Sequence, residues 1–226
     1  DVAGLAEQLV VANDLEAIIT IHRGDARNLL PVEPVDILVS ECMGRFLIDD
    51  GMIPAVVAAG RRLKPGGICC PRKITLSVAP VGALRVGALD CWNTDVYGLD
   101  FSPAEEYAQH FAYHADVAPK DCFAEPSIYH EWVLPHEPPP LQSKMRFTLS
   151  RKGPLRAVVG WWDAVLTDSI CLSTGPGQRT HWGQYLFPLP KTQVESGDIL
   201  EIELWFDWDR ESWRWEGVIV RQSGSD

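Results

Sequence analysis

Long apolar runs are missing from this sequence. Nothing in it approaches the roughly 20 consecutive residues that a membrane span needs, so no membrane partner is expected. Positive charge is also short: 20 Lys and Arg stand against 31 Asp and Glu, a formal net charge of −11 over 226 residues. Nucleic acid rewards basic surface, so direct nucleic-acid binding is not expected, and a cationic partner suits the chain better. The six cysteines form no Cys-x-x-Cys pair. A zinc ribbon needs two close ligand pairs, so no metal site is expected; buried free thiols in a reducing compartment are. The opening residues Asp1-Val2-Ala3-Gly4 carry neither a basic segment nor a signal-like apolar block, which points to the cytoplasm, or to the nucleus as well in a eukaryote. No Gly-x-Gly-x-x-Gly occurs, so these residues hold no phosphate-cradling loop of the dinucleotide type.

What is present has two textures, and they meet near Pro71. Val2, Leu5, Ala6, Leu9 and Val10 follow the spacing of a helix facing a core, with Asn13 as its stop. Ala17–Ile21 is a short β-branched run that predicts a strand, followed by a Gly24-Asp25 turn. Val35–Val39 is mostly apolar, as in a parallel sheet covered on both faces. Met52, Val56, Val57 and Leu63 mark a second helical face, ended by Lys64-Pro65-Gly66-Gly67. Helix, strand, strand, helix, strand is the rhythm of a doubly wound α/β sheet.

Beyond Pro71 seven short strands are expected with no helices between them: 75–78, 145–149, 156–165, 170–173, 185–189, 199–208 and 213–220. That pattern predicts an antiparallel barrel or sandwich. One insertion interrupts it. Ser102-Pro103-Ala104-Glu105 reads as a capping box with Pro at the first helical position, opening a helix through about His114.

Three segments carry chemistry. Glu41 lies at the carboxyl end of the Val35–Val39 strand, where open α/β sheets build their sites. The loop after it returns Asp49 and Asp50. Two carboxylates brought together could clamp a planar guanidinium, although Asp49 and Asp50 would equally serve to cap the helix that starts near Met52. In the second segment, Arg23–Leu29, Asp25 could accept from an adenine amino group, or simply shape a turn. The third, Ser173–Gln184, sets His181 beside Trp182 between strands, where the Trp could as well be core.

Ser40-Glu41-x-Met43-Gly44, an acid nine positions after Glu41, and Thr180-His181-Trp182 together resemble the protein arginine methyltransferase family, with its double-glutamate and Thr-His-Trp loops. The order of the motifs agrees over essentially the whole chain. Val96–Asp100 is similar to the start of the family's dimerisation arm. Asp50 departs from the family's second Glu, and Cys42 stands where an aromatic is common. Asp is one methylene shorter, a difference of about 1.5 Å in reach.

The resemblance implies the C-terminal half of a Rossmann-like methyltransferase sheet over residues 1–71. An antiparallel β-barrel substrate domain follows over 72–226, with a helical dimerisation arm at about 97–120. It implies S-adenosylmethionine as cofactor, an arginine-containing protein or peptide as substrate, and a homodimer formed through the arm in a longer form. Glu41 and Asp50 would hold the guanidinium, Met43 and Met52 would line the site, and His181 and Trp182 would shape its entrance. Asp25, Ala26 and Glu41 would meet the cofactor, whose Gly-rich loop would precede Asp1. The reaction implied is methyl transfer to a guanidine nitrogen. Its rivals are a catalytically silent interaction module, a methyltransferase acting on another nucleophile, and a Trp-rich carbohydrate-binding β module.

Overall fold

The computed structural model describes residues 1–28, 33–48, 51–82, 87–93, 97–208 and 210–221. Helix α1 spans Val2–Ala12; Asp1 caps it by accepting from the Ala3 N–H, and Asn13 ends it. No α1 residue is buried. The stripe of Val2, Leu5 and Leu9 is real, but it faces solvent. The Ala17–Ile21 run is not a strand. Leu15 accepts from both Ile18 and Ile19 in a turn, and a β-branched run with no neighbouring strand gains nothing from extension.

Strand β1 (Val35–Val39) pairs in parallel with β2 (Leu63–Cys70), across helix α2 (Met52–Gly60). The expected helix stop is instead a bulge inside β2. Val35 pairs with Leu63 but Ile37 with Ile68, so Lys64–Gly67 loops out between them. Gly66 has φ +79°, and a Cβ on Gly67 would lie 3.0–3.1 Å from the Lys64 and Asp36 carbonyl oxygens. Leu63 therefore belongs to the strand, while Met52, Ile53, Val56 and Val57 form the buried face of α2. One face of β1 is uncovered: Ile37 is 59% exposed and Val39 69%.

The remaining chain is antiparallel sheet. Strand β3 (Lys73–Gly82) is followed by the short helices α3 (Gly87–Asp90) and α4 (Ala104–Ala108), then β4 (Tyr113–Ala115), β5 (Ser127–Val133), β6 (Gln142–Thr148) and β7 (Gly153–Val165). Strands β8 (Cys171–Ser173), β9 (Gln184–Val194), β10 (Ile199–Asp207) and β11 (Ser212–Val220) complete it. One sheet runs β4-β9-β7-β3-β5 with β8 beside β7; the other runs β11-β10-β6. All seven expected strands are present, and β4 and β5 were not anticipated.

Alternation along β3 and β7 divides two cores between the faces of the large sheet. Ile74, Leu76, Val78, Val158, Trp162 and Ala164 point between the sheets, with Leu200, Ile202 and Leu204 of β10. Ala79, Val81, Ala157, Val159 and Trp161 point the other way, under Leu89, Ala108, Ala115 and Val117. A strand with both faces covered loses its polar alternation, which is why β3 is buried over most of its length.

The two sheets form a sandwich, and no strand pairing closes a barrel among the described residues. On the β9–β11 side the reason is chemical. Pro188 and Pro190 in β9 have no N–H to offer a ladder, and the Pro188 carbonyl accepts from the Trp215 indole instead, at 2.6 Å.

The helical arm is also corrected. Helix α4 ends at Ala108, and Ser102 gives it no side-chain cap; its own N–H donates to Asp100. Tyr113–Ala115 then pairs with β9, and Val117 is buried, so the later part of the 97–120 segment is wall of the sheet. The earlier part leaves Tyr97, Leu99, Phe101, Tyr107 and Phe111 exposed.

The thiol expectation holds in part. None of the six cysteines forms a disulfide, but Cys42, Cys91 and Cys171 are exposed and only Cys69 is buried. Burial pushes the Cys69 thiol up to about 11.

Candidate active site

Glu41 follows the end of β1, where Ser40 still donates to the Cys70 carbonyl at 2.9 Å. The chain then turns at once. Met43 donates to the Glu41 carbonyl at 2.8 Å and Leu47 to that of Gly44 at 3.1 Å, with Leu47 at φ +67°. Such a left-handed non-glycine residue costs about 1–2 kcal/mol and persists only where packing holds it. Here the packing is Phe46, fully buried, with its ring 4.9 Å from Trp213 and 5.5 Å from Phe187. Burying such a ring stabilises by about 1.5–3 kcal/mol, enough to offset the strain. It lies against Gly160 of β7, where a Cβ would come within 2.8 Å of it.

Two tryptophans pin the same turn through its backbone. The Trp182 indole N–H donates to the Met43 carbonyl at 2.5 Å, and that of Trp162 donates to the Gly44 carbonyl at 3.0 Å. The two indoles meet edge to face, 5.1 Å apart. Trp182 is held in turn by the loop that carries it. Gln184, buried, accepts from Val117 and donates to the Thr174 carbonyl, both at 2.7 Å. Thr174, fully buried, accepts from the Trp162 N–H and donates back to its carbonyl.

This brings Glu41, Met43, His181 and Trp182 around one open cleft of about 570 Å³, together with Cys42, Gly44 and Arg45. Glu41 and His181 are exposed in it. The His181 ring packs 3.8 Å from the Trp182 ring. A cleft with a carboxylate on one wall and aromatic rings on the other can take a flat cation edge-on to the acid and face-on to the rings.

Three expected site residues do not join it. Met52 is fully buried in the core as the first residue of α2, so it supports the loop from beneath and lines nothing. Asp25 and Ala26 are exposed outside the cleft. Both Asp25 carboxylate oxygens accept from Arg27, at 2.5–3.0 Å, which holds the carboxyl down at about 2. With its oxygens taken, Asp25 offers no free acceptor to an adenine in this arrangement. Asp50 lies outside the described residues, as does Asp49.

Reasoning from the sequence also missed residues. Trp162 and Gln184 act through the backbone of others, and only the fold brings residue 162 to residue 44. Arg45 was legible as a charge inside the loop, and it lines the cleft.

The sequence matches the family model for the arginine methyltransferase oligomerization subdomain over residues 73–221, more than half of the chain. The chain belongs to the arginine methyltransferase family. A relative in Xenopus tropicalis, protein arginine N-methyltransferase 6, is 31% identical over 217 residues, covering 86% of this chain and 64% of the relative. Protein arginine N-methyltransferase 1 of Chlamydomonas reinhardtii is 31% identical over 217 residues, 87% of this chain and 60% of its own. Among arginine methyltransferases of known structure, protein arginine methyltransferase 10 of Arabidopsis thaliana superposes with a TM-score of 0.74 at 25% identity, over 90% of this chain and 69% of that one. A Trypanosoma brucei enzyme–prozyme heterotetramer with AdoHcy shares the fold, with a TM-score of 0.77 at 19% identity. The chain thus spans less than two thirds of the length of the first two arginine methyltransferases it matches.

Proposed function

We propose that this chain supplies the substrate side of an S-adenosylmethionine-dependent protein arginine N-methyltransferase, with methyl transfer to a guanidine nitrogen at the Glu41 cleft. The observation that carries this is the pair of indole bonds from Trp182 and Trp162 to Met43 and Gly44. They make the cleft a joint product of the β1 loop, β7 and the β8–β9 loop, with Glu41 and His181 exposed in it.

Methyl transfer from a sulfonium is an in-line displacement. The guanidine nitrogen would attack the methyl carbon as the carbon–sulfur bond breaks with its electrons passing to sulfur, and the methylated nitrogen would then release its proton to water. The cofactor supplies the methyl group. This chain's part is to orient the nucleophile and keep its charge paired while it attacks. Glu41 does so by accepting from the nitrogens that do not react. Arginine is not readily deprotonated, so polarising it toward one nitrogen matters more than a strong base. Asp50 is assigned as the second acid by its resemblance to the second glutamate of the family's double-glutamate loop. The net charge of −11 favours arginine-rich substrates by long-range attraction. The exposed aromatic stretch from Tyr97 to Tyr107 is assigned to self-association in a longer form.

The test is Glu41→Gln in an active form carrying the cofactor half. Turnover on an arginine-rich peptide should fall at least a hundredfold, while S-adenosylmethionine affinity stays within about threefold, because a charged hydrogen bond of roughly 1.5–3 kcal/mol is lost together with alignment. Turnover within twofold of the parent would remove Glu41 from this role.

A second reading, an interaction module without turnover, is favoured by one feature: the uncovered apolar faces of α1 and β1. Methyl transfer that depends on Glu41 would exclude it.

A further inference from the structure

The open seam between the two sheets holds a second cavity. It measures about 220 Å³. It lies where the chain leading into β4, strand β9 and strand β11 meet. Its walls include Phe111, Tyr185, Trp213 and Trp215, with His110 and Glu211 also lining it. None of its lining residues is shared with the Glu41 cleft.

The cavity follows from the same prolines that leave the sandwich open. Tyr185 sits at the last stretch of β9 that β4 still pairs, and Pro188 beyond it turns its carbonyl to the Trp215 indole. The seam is thus faced with rings, not with a hydrogen-bonded ladder. Tyr185 packs 5.5 Å from Phe187, and Trp215 is 5.3 Å from the same ring, so one buried ring backs both walls. Phe111, 49% exposed, forms the outer lip.

Glu211 is the carboxylate among these rings. It sits in the β10–β11 turn at φ +48° and is exposed. Arg27, whose charge Glu211 helps to hold, is committed to Asp25 at 2.5 Å. Several aromatic faces with one carboxylate among them are the chemistry that selects an organic cation: the rings attract its charge through their quadrupoles, and the acid fixes its direction. A planar, weakly hydrated guanidinium suits such walls better than a compact, strongly hydrated ammonium, because it can stack on a ring while its edge hydrogen-bonds the acid.

We infer that this seam cavity is a second, non-catalytic guanidinium site, taking an arginine or methylarginine side chain against Phe111, Tyr185 and Trp215 with Glu211 as its acid. The cavity's cation chemistry stands on its own residues; the choice of arginine among cations rests on the function proposed above. The shared ligand is a guanidinium, whether from unmodified substrate or from methylated product.

The test is two-dimensional NMR of the 226-residue chain, following the Trp213 and Trp215 indole N–H signals. The probes are N-acetyl-arginine amide, its asymmetrically dimethylated form and N-acetyl-lysine amide. Saturable shifts of these two indoles are expected with both arginine probes in the millimolar range, with lysine at least fivefold weaker. Glu211→Gln should weaken arginine binding tenfold or more, and Phe111→Ala severalfold. Tighter binding of the methylated probe would make the site a product reader; tighter binding of the unmodified probe would make it a substrate anchor. No saturation at 50 mM, equal binding of lysine, or shifts unchanged in Glu211→Gln would overturn the inference. No methyl transfer is measured, so this result and that of the Glu41→Gln assay can fail separately.

Discussion

At the scale of single residues, the site owes more to hydrogen bonds onto backbone carbonyls than to its acids. Trp182 reaches Met43, and Trp162 reaches Gly44, so the loop that presents Glu41 is fixed by groups that carry no charge. Removing one donor while keeping a ring in place isolates this contribution. Trp182→Phe should cost about 1–3 kcal/mol in urea unfolding, since a buried carbonyl loses its partner. In an active form the same change should also lower kcat more than it raises KM. A stability loss below 0.5 kcal/mol would mean that the indole bond does not hold the loop. The sequence showed Glu41, His181 and Trp182 as candidates, because Ser-Glu-x-Met-Gly and Thr-His-Trp are local patterns. It could not show Met52 leaving the cleft for the core, because a Met that lines a site and a Met beneath one have the same spacing. It also could not show Asp25 pairing with Arg27, two residues away.

At the scale of elements, most strands were legible and their partners were not. Alternating apolar residues mark β6 (Met145, Phe147) and β10 (Leu200, Ile202, Leu204, Phe206), and Trp213 and Trp215 mark β11. Strand β4 was hidden within a segment that reads as helix, because its three residues are decided by pairing with β9 and not by their own pattern. The Lys64-Pro65-Gly66-Gly67 segment is an example of one signal with two outcomes. It breaks a helix and also makes a bulge, and parallel pairing with β1 selected the bulge. Gly160 shows how closely the elements fit. Gly160→Ala would place a methyl 2.8 Å from the Phe46 ring and 3.0 Å from that of Phe187, both fully buried. It should destabilise the chain by about 1–3 kcal/mol through overpacking, measured by chemical denaturation. A neutral result would show that the 40–48 loop gives way freely, and that Phe46 is not its anchor.

At the scale of the whole molecule, cover is uneven. The sandwich buries both faces of its large sheet, whereas α1 and β1 carry Val2, Leu5, Leu9, Ile37 and Val39 more than half exposed. Apolar surface on that scale usually marks a partner. The relatives extend well beyond the part that this chain matches. On the function proposed above, substrate recognition lies in these residues and most of the cofactor's grip outside them. Two charged hydrogen bonds to the cofactor made from outside these residues, at roughly 1.5–3 kcal/mol each, would be worth two to four decades of affinity. Isothermal calorimetry of S-adenosylmethionine with the 226-residue chain, alone and then with a strand–Gly-loop–helix segment supplied from a relative, measures this most directly. The account predicts no binding heat at tens of micromolar for the chain alone and micromolar binding once the segment is added. Micromolar binding by the 226 residues alone would contradict it.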